Sequence, residues 1–311
     1  IAIGVLLIAA LGLLAIDRAT RASALDEAEN AAQNEAAILA AGLESELDKF
    51  SLVPLVLARD PQVQSLMAGN KAQKINLNQR LQQIATQTGA AVIYLMNRDG
   101  LTLAASNWNR PDSFVGANYG FRRYYRDAQT SGLATEFALG TVSRRPGLYI
   151  ARRVDGPSGP VGVVAIKVEF NPLEARWAKT TSGVYVTDPD GVILVTSNPA
   201  WRFSTLRPVA PGQRDAQQDL RQFGKAKLPR FEPRLTNASP QTPKLIESLH
   251  PVAPLDWNLH LLSDPSTSLA GAKANGRLLF LLLLVLTGII DGLAFFGARR
   301  REARAEASVN E

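Results

Sequence analysis

One segment of this chain occurs twice in related form, and that repeat limits the fold more than any other feature. Residues 92–107 read VIYLMNRDGLTLAASN, and residues 183–198 read GVYVTDPDGVILVTSN. Each copy has an apolar run, an Asp-Gly turn and a second apolar run, which predicts a β-hairpin. Two hairpins at domain-sized spacing indicate two tandem domains of one kind. The copies are identical at Tyr94/Tyr185, Asp99/Asp190, Gly100/Gly191, Ser106/Ser197 and Asn107/Asn198.

The segments around the hairpins predict an α+β fold in each half. Three runs rich in β-forming residues, separated by Gly and Pro turns, and a short closing helix complete the first half. In the second half a strand is predicted at 259–262, and the Pro- and Gln-rich stretch 207–243 is predicted to be mostly loop. Each half is then an antiparallel sheet with helices on one face. The predicted elements of the first half lie at 137–143, 148–154, 162–170 and, for the helix, 172–179.

Two apolar segments frame the chain. Residues 277–298 are long enough to cross a bilayer as a helix, which takes about 20 residues. The arginines that follow at 299–301 place that end in the cytoplasm. Residues 1–16 predict a first, N-terminally truncated transmembrane helix. A secretory signal peptide is the alternative, because Ala22-Ser23-Ala24 resembles a cleavage site. With two spans, everything between them lies outside the cytoplasmic membrane.

Residues 17–90 are predicted to form a stalk helix and further helical elements of the sensor. Apolar residues recur at steps of three and four over 25–50, which is one face of a helix of about 30 residues. This alanine-rich stripe suits packing against the same helix of a second subunit or against its own domain, and both remain open. Pro54 and Pro61 are expected to break the helix. The remaining segments are two sensor domains at 91–180 and 181–270 and the start of a cytoplasmic signalling helix at 299–311.

Composition argues against several classes of function. The chain has no cysteine and only two histidines, His250 and His260, which excludes disulfides and cysteine nucleophiles and argues against a multi-histidine metal site. No catalytic set and no Gly-rich nucleotide loop stands out, so we expect no catalytic residues and no cofactor in this region. The net charge of +6 owes much to the arginines that follow the second apolar segment. We therefore expect no nucleic-acid partner.

A lysine within an apolar strand marks a candidate pocket. In the segment 162–168, alternation places Val163, Ala165 and Lys167 on one face and the bulkier residues on the other. A buried ammonium group is costly unless an anion meets it. That anion is either a ligand or Glu169, which lies on the same face, and the sequence leaves both interpretations open.

Hydroxyl and guanidinium groups are predicted near this lysine. The first of the added strands would place Thr141 and Ser143 on one face. The run NYGFRRYY at 118–125 follows a glycine-marked loop and begins a helix, so arginines and tyrosines lie at a helix N-terminus, where anions are favoured. Two cationic poles across a small cavity suit a short dicarboxylate. Arg123 and Arg126 are instead expected to face solvent.

Three motifs give a family resemblance. The segments LTLAASNWNRPDSFVGANYGFRRYY, FALGTVSRRPGLYIARRV and GVVAIKVEF, between two apolar segments, resemble the C4-dicarboxylate sensor histidine kinases of the DctB type. The resemblance covers almost the whole chain and is most specific over 101–167. It implies a tandem double-Cache (PAS-like) sensor with a long N-terminal stalk helix and two flanking transmembrane helices. The sensor would lie in the periplasm, anchored in the bacterial inner membrane.

The resemblance also implies a ligand and its binding residues. The ligand would be succinate, fumarate or malate, and the chain would act as a homodimer. A kinase beyond this chain, with ATP and Mg²⁺, would phosphorylate a response regulator. Arg123 departs from the family's Phe-Arg-Pro-Tyr pattern, in which proline fixes the start of a helix. The candidate ligand-binding residues are Asn118, Tyr119, Arg122, Leu139, Gly140, Thr141, Ser143, Tyr149 and Lys167, with Leu139 and Gly140 acting through backbone groups.

Two other functions remain open at this point. The same sensor could serve a chemotaxis receptor or a diguanylate cyclase that recognises another small carboxylate. The chain could also be a membrane-anchored protein that binds a partner protein and no small ligand. A pocket that stays empty against a panel of carboxylic acids would favour that second alternative.

Overall fold

The computed structural model describes residues 2–180, 182–208, 212, 222–224, 227–232 and 245–309. The chain divides into two compact units. One unit comprises Ile1–Asn34, Asn237–Ser248 and Ser263–Glu311, and the other comprises Glu35–Thr236 and Leu249–Leu262. Both hairpins of the repeat lie in the second unit.

Helices dominate both ends of the chain, and strands dominate its middle. The α-helices are α1 (Ala2–Ala58), α2 (Pro61–Met67), α3 (Lys74–Thr88), α4 (Arg123–Ser131), α5 (Asn171–Trp177) and α6 (Ser266–Val309). The strands of the first half are β1 (Val92–Asn97), β2 (Thr102–Ala105), β3 (Leu133–Leu139), β4 (Pro146–Gly156) and β5 (Gly159–Val168). Those of the second half are β6 (Gly183–Thr187), β7 (Ile193–Thr196), β8 (Ile246–Val252) and β9 (Trp257–Ser263).

Helix α1 is continuous over 57 residues and buries the predicted stripe. The expectation that Pro54 breaks it is wrong, because Pro54 lies inside the helix. Proline in a helix interior costs about 3 kcal/mol, and burial of Pro54 and Leu57 offsets that cost. The helix ends where Asp60 caps α2, with Pro61 at the first helical position. The buried stripe consists of Ala32, Ala36, Ala40, Leu43, Leu47 and Phe50.

In the first unit, α1 and α6 lie side by side. A β-carbon built on Gly276 of α6 would lie 3.0 Å from Oγ1 of Thr20 in α1. Among the described residues, one helical segment, Ser266–Gly297, is long and apolar enough to cross a membrane, and its most apolar stretch is not buried. It contains the second predicted span except for its last residue, Ala298. Residues 2–16 form the start of α1, and a first span at 1–16 stays a prediction.

The two halves of the repeat form antiparallel sheets with matching strand order. The first sheet is ordered β2-β1-β5-β4-β3, and the second is ordered β7-β6-β9-β8. Tyr94 of β1 pairs with Ala105 of β2, and its counterpart Tyr185 of β6 pairs with Thr196 of β7. Both predicted hairpins are therefore present, in the same register.

The turns of the two hairpins repeat at the level of single hydrogen bonds. Oδ1 of Asn97 accepts a hydrogen bond from the backbone N–H four residues on at 2.9 Å, and Oδ1 of Asp188 accepts its equivalent at 2.8 Å. Gly100 and Gly191 follow with φ of 80° and 82°, in the left-handed region that favours glycine. The chain is thus an internal duplication in which an amide in one copy corresponds to a carboxyl in the other.

One predicted strand is shorter in the structure. The strand predicted at 137–143 is β3, which ends at Leu139, because Gly140 accepts a backbone hydrogen bond from Arg144 and closes a turn. Thr141 and Ser143 are therefore turn residues and not neighbours on a strand face.

Strand β8 was not predicted. It is the edge strand of the second sheet and exposes Leu249, so its sequence shows no clear alternation. Most of the stretch 207–243 that was predicted as loop lies outside the described residues.

Candidate functional site

The loop before α4 positions a buried arginine. Arg122 is the N-cap residue of α4, and only 1% of its surface is exposed. Its Nη2 donates a hydrogen bond to the carbonyl oxygen of Leu139 at 2.6 Å. The guanidinium carbon lies 5.8 Å from the centre of the Tyr149 ring. A buried guanidinium beside a helix N-terminus favours an anion at this point.

The turn between β3 and β4 brings polar groups to the same place. The backbone N–H of Gly140 donates to the carbonyl oxygen of Arg145 at 2.9 Å. A β-carbon on Gly140 would lie 2.3 Å from Oγ of Ser143 and 3.2 Å from Oη of Tyr149. Only glycine therefore lets this turn fold against the tyrosine.

Lys167 of β5 is fully buried, and its ammonium lies at the same turn. Nζ donates to Oγ of Ser143 at 2.9 Å, to the carbonyl oxygen of Arg145 at 3.0 Å and to Oε1 of Glu169 at 2.5 Å. The ion pair with Glu169, one of the two interpretations left open by the sequence, is thus present. Burial lowers the pKa of Lys167, and Glu169 opposes that shift.

Four tyrosines cover the small-residue face of β5. Tyr119 packs against Tyr94 with ring centres 5.6 Å apart, and Tyr149 stacks on Tyr124 at 4.9 Å. The hydroxyl of Tyr94 donates to that of Tyr124 at 2.6 Å. All four belong to one buried cluster with Ala165. The small side chain of Ala165 therefore makes room for aromatic rings from the loop, from α4 and from β4.

Tyr119 carries a buried hydroxyl group near the hydroxyl of Thr141. Its hydroxyl is buried and makes no hydrogen bond of regular geometry with the described residues. Burial raises the pKa of Tyr119 to about 12, and Arg122 and the Thr141 hydroxyl act in the opposite direction. Tyr119 is therefore neutral at physiological pH and suited to donate a hydrogen bond to a carboxylate.

The structure gathers most of the candidate residues but gives Asn118 another task. Asn118 is exposed; its Nδ2 donates to the carbonyl oxygen of Asp99 at 2.8 Å, and its Oδ1 accepts from Gly120 N–H at 2.9 Å. Its side chain thus holds the loop in shape. As expected, Arg123 and Arg126 face solvent. The residues brought together by the contacts above are Tyr119, Arg122, Leu139, Gly140, Thr141, Ser143, Tyr149 and Lys167.

Sequence reasoning missed a buried carboxyl group beside the site. Glu136 of β3 is 5% exposed, and its Oε2 accepts a hydrogen bond from the backbone N–H of Tyr124 at 3.0 Å. It thereby caps the first turn of α4 from a neighbouring strand. Burial raises the pKa of Glu136. The available signal was an acidic residue in the otherwise apolar run LATEFAL.

Sequence comparison finds relatives of one kind. No family model matches the chain. Over its full length the chain is 38% identical to the C4-dicarboxylate transport sensor protein DctB of Rhizobium meliloti and covers 52% of that protein. Over 177 residues, 56% of the chain, it is 37% identical to the protein of the same name from Pseudomonas aeruginosa and covers 29% of it. The chain thus spans about half the length of the first relative and less of the second.

Comparison with solved structures finds a sensor domain that also carries the name DctB. The sensor domain of the V. cholerae histidine kinase DctB matches with a TM-score of 0.68 at 27% identity, over 77% of this chain and 98% of that domain. The ligand-binding domain of the Pseudomonas fluorescens chemoreceptor CtaA, solved with L-isoleucine, matches with a TM-score of 0.56 at 17% identity, over 80% of this chain and 98% of that domain. The second likeness shows the fold alone.

The fold places the chain in a class of sensor proteins: it has an α+β, double-Cache-like sensor domain that follows a long N-terminal helix. Within that class, the chain is a homologue of the C4-dicarboxylate transport sensor protein DctB, aligned over its whole length. The predicted resemblance is confirmed, and so is the α+β, double-Cache-like sensor fold with its long N-terminal helix. The two flanking transmembrane helices stay a prediction. The ligand-binding residues stay a prediction.

Proposed function

We propose that this chain is the extracytoplasmic sensor region of a two-component histidine kinase and that it binds C4-dicarboxylates such as succinate, fumarate and malate. One observation carries the proposal. Two buried cationic side chains, Arg122 and Lys167, lie at the two ends of the same strand-connecting segment, which begins at Leu139 and includes Ser143. The names of the homologous sensor proteins point to the same ligand class.

The two cations divide the task of holding a dicarboxylate. Arg122 would hold one carboxylate in a fork, with the hydroxyl groups of Tyr119 and Thr141 as neutral donors beside it. Lys167 would hold the second carboxylate as a point charge, together with Ser143. A monocarboxylate would meet only one of the two, so the arrangement favours ligands with an acid group at each end.

Membrane insertion and signal output complete the proposal. The chain would cross the inner membrane through residues 1–16 and 277–298, with the sensor in the periplasm, and would act as a homodimer. The first predicted span and the predicted stalk belong to one continuous helix, α1, through which a signal would pass. A ligand shifts such an equilibrium only by its different affinity for the two states. Kinase activity with ATP and Mg²⁺, and the response-regulator partner, would belong to the part of the relatives that this chain does not cover.

The test is succinate binding to the 311-residue chain in lipid nanodiscs, measured by calorimetry. We expect micromolar-range binding that Arg122→Ala and Lys167→Ala each reduce by about a hundredfold or more, because each removes a buried charge partner. Arg123→Ala and Arg126→Ala are matched controls, since both remove an exposed arginine from the same segment. Folded protein that binds none of succinate, fumarate and malate would contradict the proposal.

A further inference from the structure

Glu169 lies just beyond β5 and places its carboxylate between two cations. Oε1 is 2.5 Å from Nζ of Lys167, and Oε2 is 3.8 Å from Nη1 of Arg145. The lysine side chain is fully buried and that of Glu169 is 14% exposed, whereas the side chain of Arg145 is 68% exposed. The contact with Lys167 is therefore the strong one, because ion pairs at the exposed surface contribute little.

We propose that Glu169 is a positioning residue of the ligand site, whose carboxylate keeps the buried ammonium of Lys167 charged and aimed at the turn between β3 and β4. The inference rests on the proposed function and deepens it. It adds a residue that does not touch the ligand but determines whether Lys167 can hold the ligand's second carboxylate.

The surroundings of Lys167 show why such a partner is needed. Burial is the largest cause that lowers the pKa of Lys167, and the guanidinium groups of Arg145 and Arg122 lower it further. Glu169 raises it, through both its hydrogen bond and its charge. Without that carboxylate, the lysine would lose its proton at a lower pH and could no longer hold an anion.

The direction of the ammonium is fixed as well as its charge. A β-carbon on Gly147 of β4 would lie 3.0 Å from Cε of Lys167, so the backbone makes room for the lysine stem at this point. The three hydrogens of the ammonium then point to Ser143, to the Arg145 carbonyl and to Glu169. A ligand carboxylate would replace one of the neutral acceptors, while Glu169 remains in place.

Other charged groups face Glu169 from neighbouring elements. A cavity of about 190 Å³ is lined by Glu169 together with Glu46 and Lys49 of α1 and Arg176 of α5. These groups line the same cavity as the carboxylate and are unchanged in every variant at position 169. A change at that position therefore isolates the effect of Glu169 on the lysine.

The experiment is a pH profile of succinate binding to the full chain in nanodiscs, from about pH 6 to pH 10. Lys167 must be protonated to bind, so affinity falls as the pH rises through its pKa. For Glu169→Gln we expect about tenfold weaker binding at pH 7.5 and a fall that begins at a lower pH than in the unmodified chain. Asp155→Asn is the matched control: it removes an exposed carboxylate that pairs with Arg153, and its profile should follow the unmodified chain.

Further variants separate positioning from a structural role. In Lys167→Arg the cation does not titrate, so adding Glu169→Gln should leave the pH dependence of binding unchanged. Glu169→Asp, with a shorter reach, should shift the profile by an intermediate amount and serves if Glu169→Gln does not fold. A profile of Glu169→Gln that coincides with the unmodified chain, or tighter binding in this variant, would overturn the proposal.

The ionisation of Lys167 can also be measured without ligand, by NMR of chain labelled with ¹³C at the ε-carbon of lysine. The signal of Lys167 is the one that disappears in Lys167→Arg, and its chemical shift during a pH titration reports whether the amine is protonated. A titration midpoint that Glu169→Gln leaves in place would overturn the positioning role. Absence of succinate binding in the unmodified chain would instead overturn the proposed function, so the two failures are distinguishable.

Discussion

The two halves of the repeat share a strand order but fill the same position of the sheet differently. Tyr94 of β1 pairs with Ala165, and its counterpart Tyr185 of β6 pairs with His260. In the first half, the small Ala165 leaves space that tyrosines from other elements enter with their hydroxyl groups. In the second half, the imidazole of His260 stacks on Tyr185 with ring centres 4.5 Å apart and occupies that space. At this position of the sheet the first half therefore has an alanine surrounded by tyrosines from other elements, whereas the second half has a histidine that fills the space itself.

The charged position differs in the same way. In the same register, Lys167 of the first sheet corresponds to Leu262 of the second. Leu262 belongs to a buried cluster with Trp201 and Phe231, where the first half has an ammonium, hydroxyl groups and a guanidinium. Replacing a buried ion pair by well-packed hydrocarbon is often neutral or stabilising, so stability alone does not explain why the first half keeps Lys167 with Glu169 at this position. A polar arrangement kept without a gain in stability is typical of a functional site.

The largest expected effect comes from replacing Lys167 of the first half by leucine, the residue found at the equivalent position of the second half. Lys167→Leu should weaken succinate binding by about a hundredfold or more, since loss of a buried charge partner costs about 2–5 kcal/mol. Calorimetry on the full chain measures the change. Arg126→Leu is the control. It replaces a nearby exposed arginine by leucine and should bind succinate normally. Binding by Lys167→Leu within threefold of the unmodified chain would show that the difference between the halves is not one of ligand recognition.

A second prediction concerns the turn between β3 and β4 of the first half, which makes polar contacts with Lys167. Gly140→Ala would place a β-carbon 2.3 Å from Oγ of Ser143 and so push that hydroxyl away from Lys167. We expect succinate affinity to fall by about tenfold and stability to fall by about 1–3 kcal/mol, the usual cost of overpacking. Gly42→Ala, on α1 where a β-carbon meets nothing within 4 Å, is the control. Unchanged affinity in a folded Gly140→Ala variant would remove the turn from the site.

The third prediction concerns the hairpin-turn position that is Asn97 in the first half and Asp188 in the second. Both side chains accept a backbone hydrogen bond, but only that of Asp188 can carry a charge. Burial raises the pKa of Asp188 to about 6, whereas its counterpart Asn97 is uncharged. From about pH 4 to pH 6 the folded state binds this proton more tightly than the unfolded state, so the free energy of unfolding falls as the pH rises through that window. Asp188→Asn should therefore stabilise the chain at pH 7.5, by about 1–2 kcal/mol after allowance for partial exposure, and not at pH 4.

Urea unfolding followed by tryptophan fluorescence at both pH values measures the effect. The reciprocal variant Asn97→Asp is the matched control and should destabilise the chain at pH 7.5. Equal gains from Asp188→Asn at pH 4 and pH 7.5 would mean that the charge of Asp188 plays no part. The two turns would then differ in sequence without differing in energy.

How much of this was predictable follows from how local each signal is. The hairpins were predictable because an Asp-Gly turn and its flanking strands are set by adjacent residues. The end of β3 at Leu139 was not, because the turn that follows depends on Gly140 packing against Ser143 and Tyr149. The sequence of edge strand β8 does not alternate between apolar and polar residues, because this strand borders solvent and exposes the apolar Leu249.

The candidate site shows the same division. Arg122 and Lys167 could be selected from residue type and position, because cations in an apolar strand and at a helix start are rare without a purpose. The capping of α4 by Glu136 could not, since it joins two elements that the sequence does not show to be neighbours. Asn118 was selected for its place in a motif, yet its side chain holds the loop. Residue types are visible in a sequence, whereas their partners depend on tertiary packing.

The smallest expected effect tests whether the start of α4 belongs to the difference between the halves. Arg123 is the first residue of α4, where the family pattern has proline, and its side chain is exposed and pairs with Asp127 at 3.4 Å. Arg123→Pro should raise the free energy of unfolding by about 0.4–1 kcal/mol, because proline restricts the unfolded chain and suits the first helical position. Succinate affinity should stay within twofold, since the side chain is exposed and pairs with Asp127 rather than with a candidate ligand-binding residue. A larger loss of affinity would show that the ligand site extends to the exposed start of α4. Arg123 would then be a further charged residue by which the first half differs from the second.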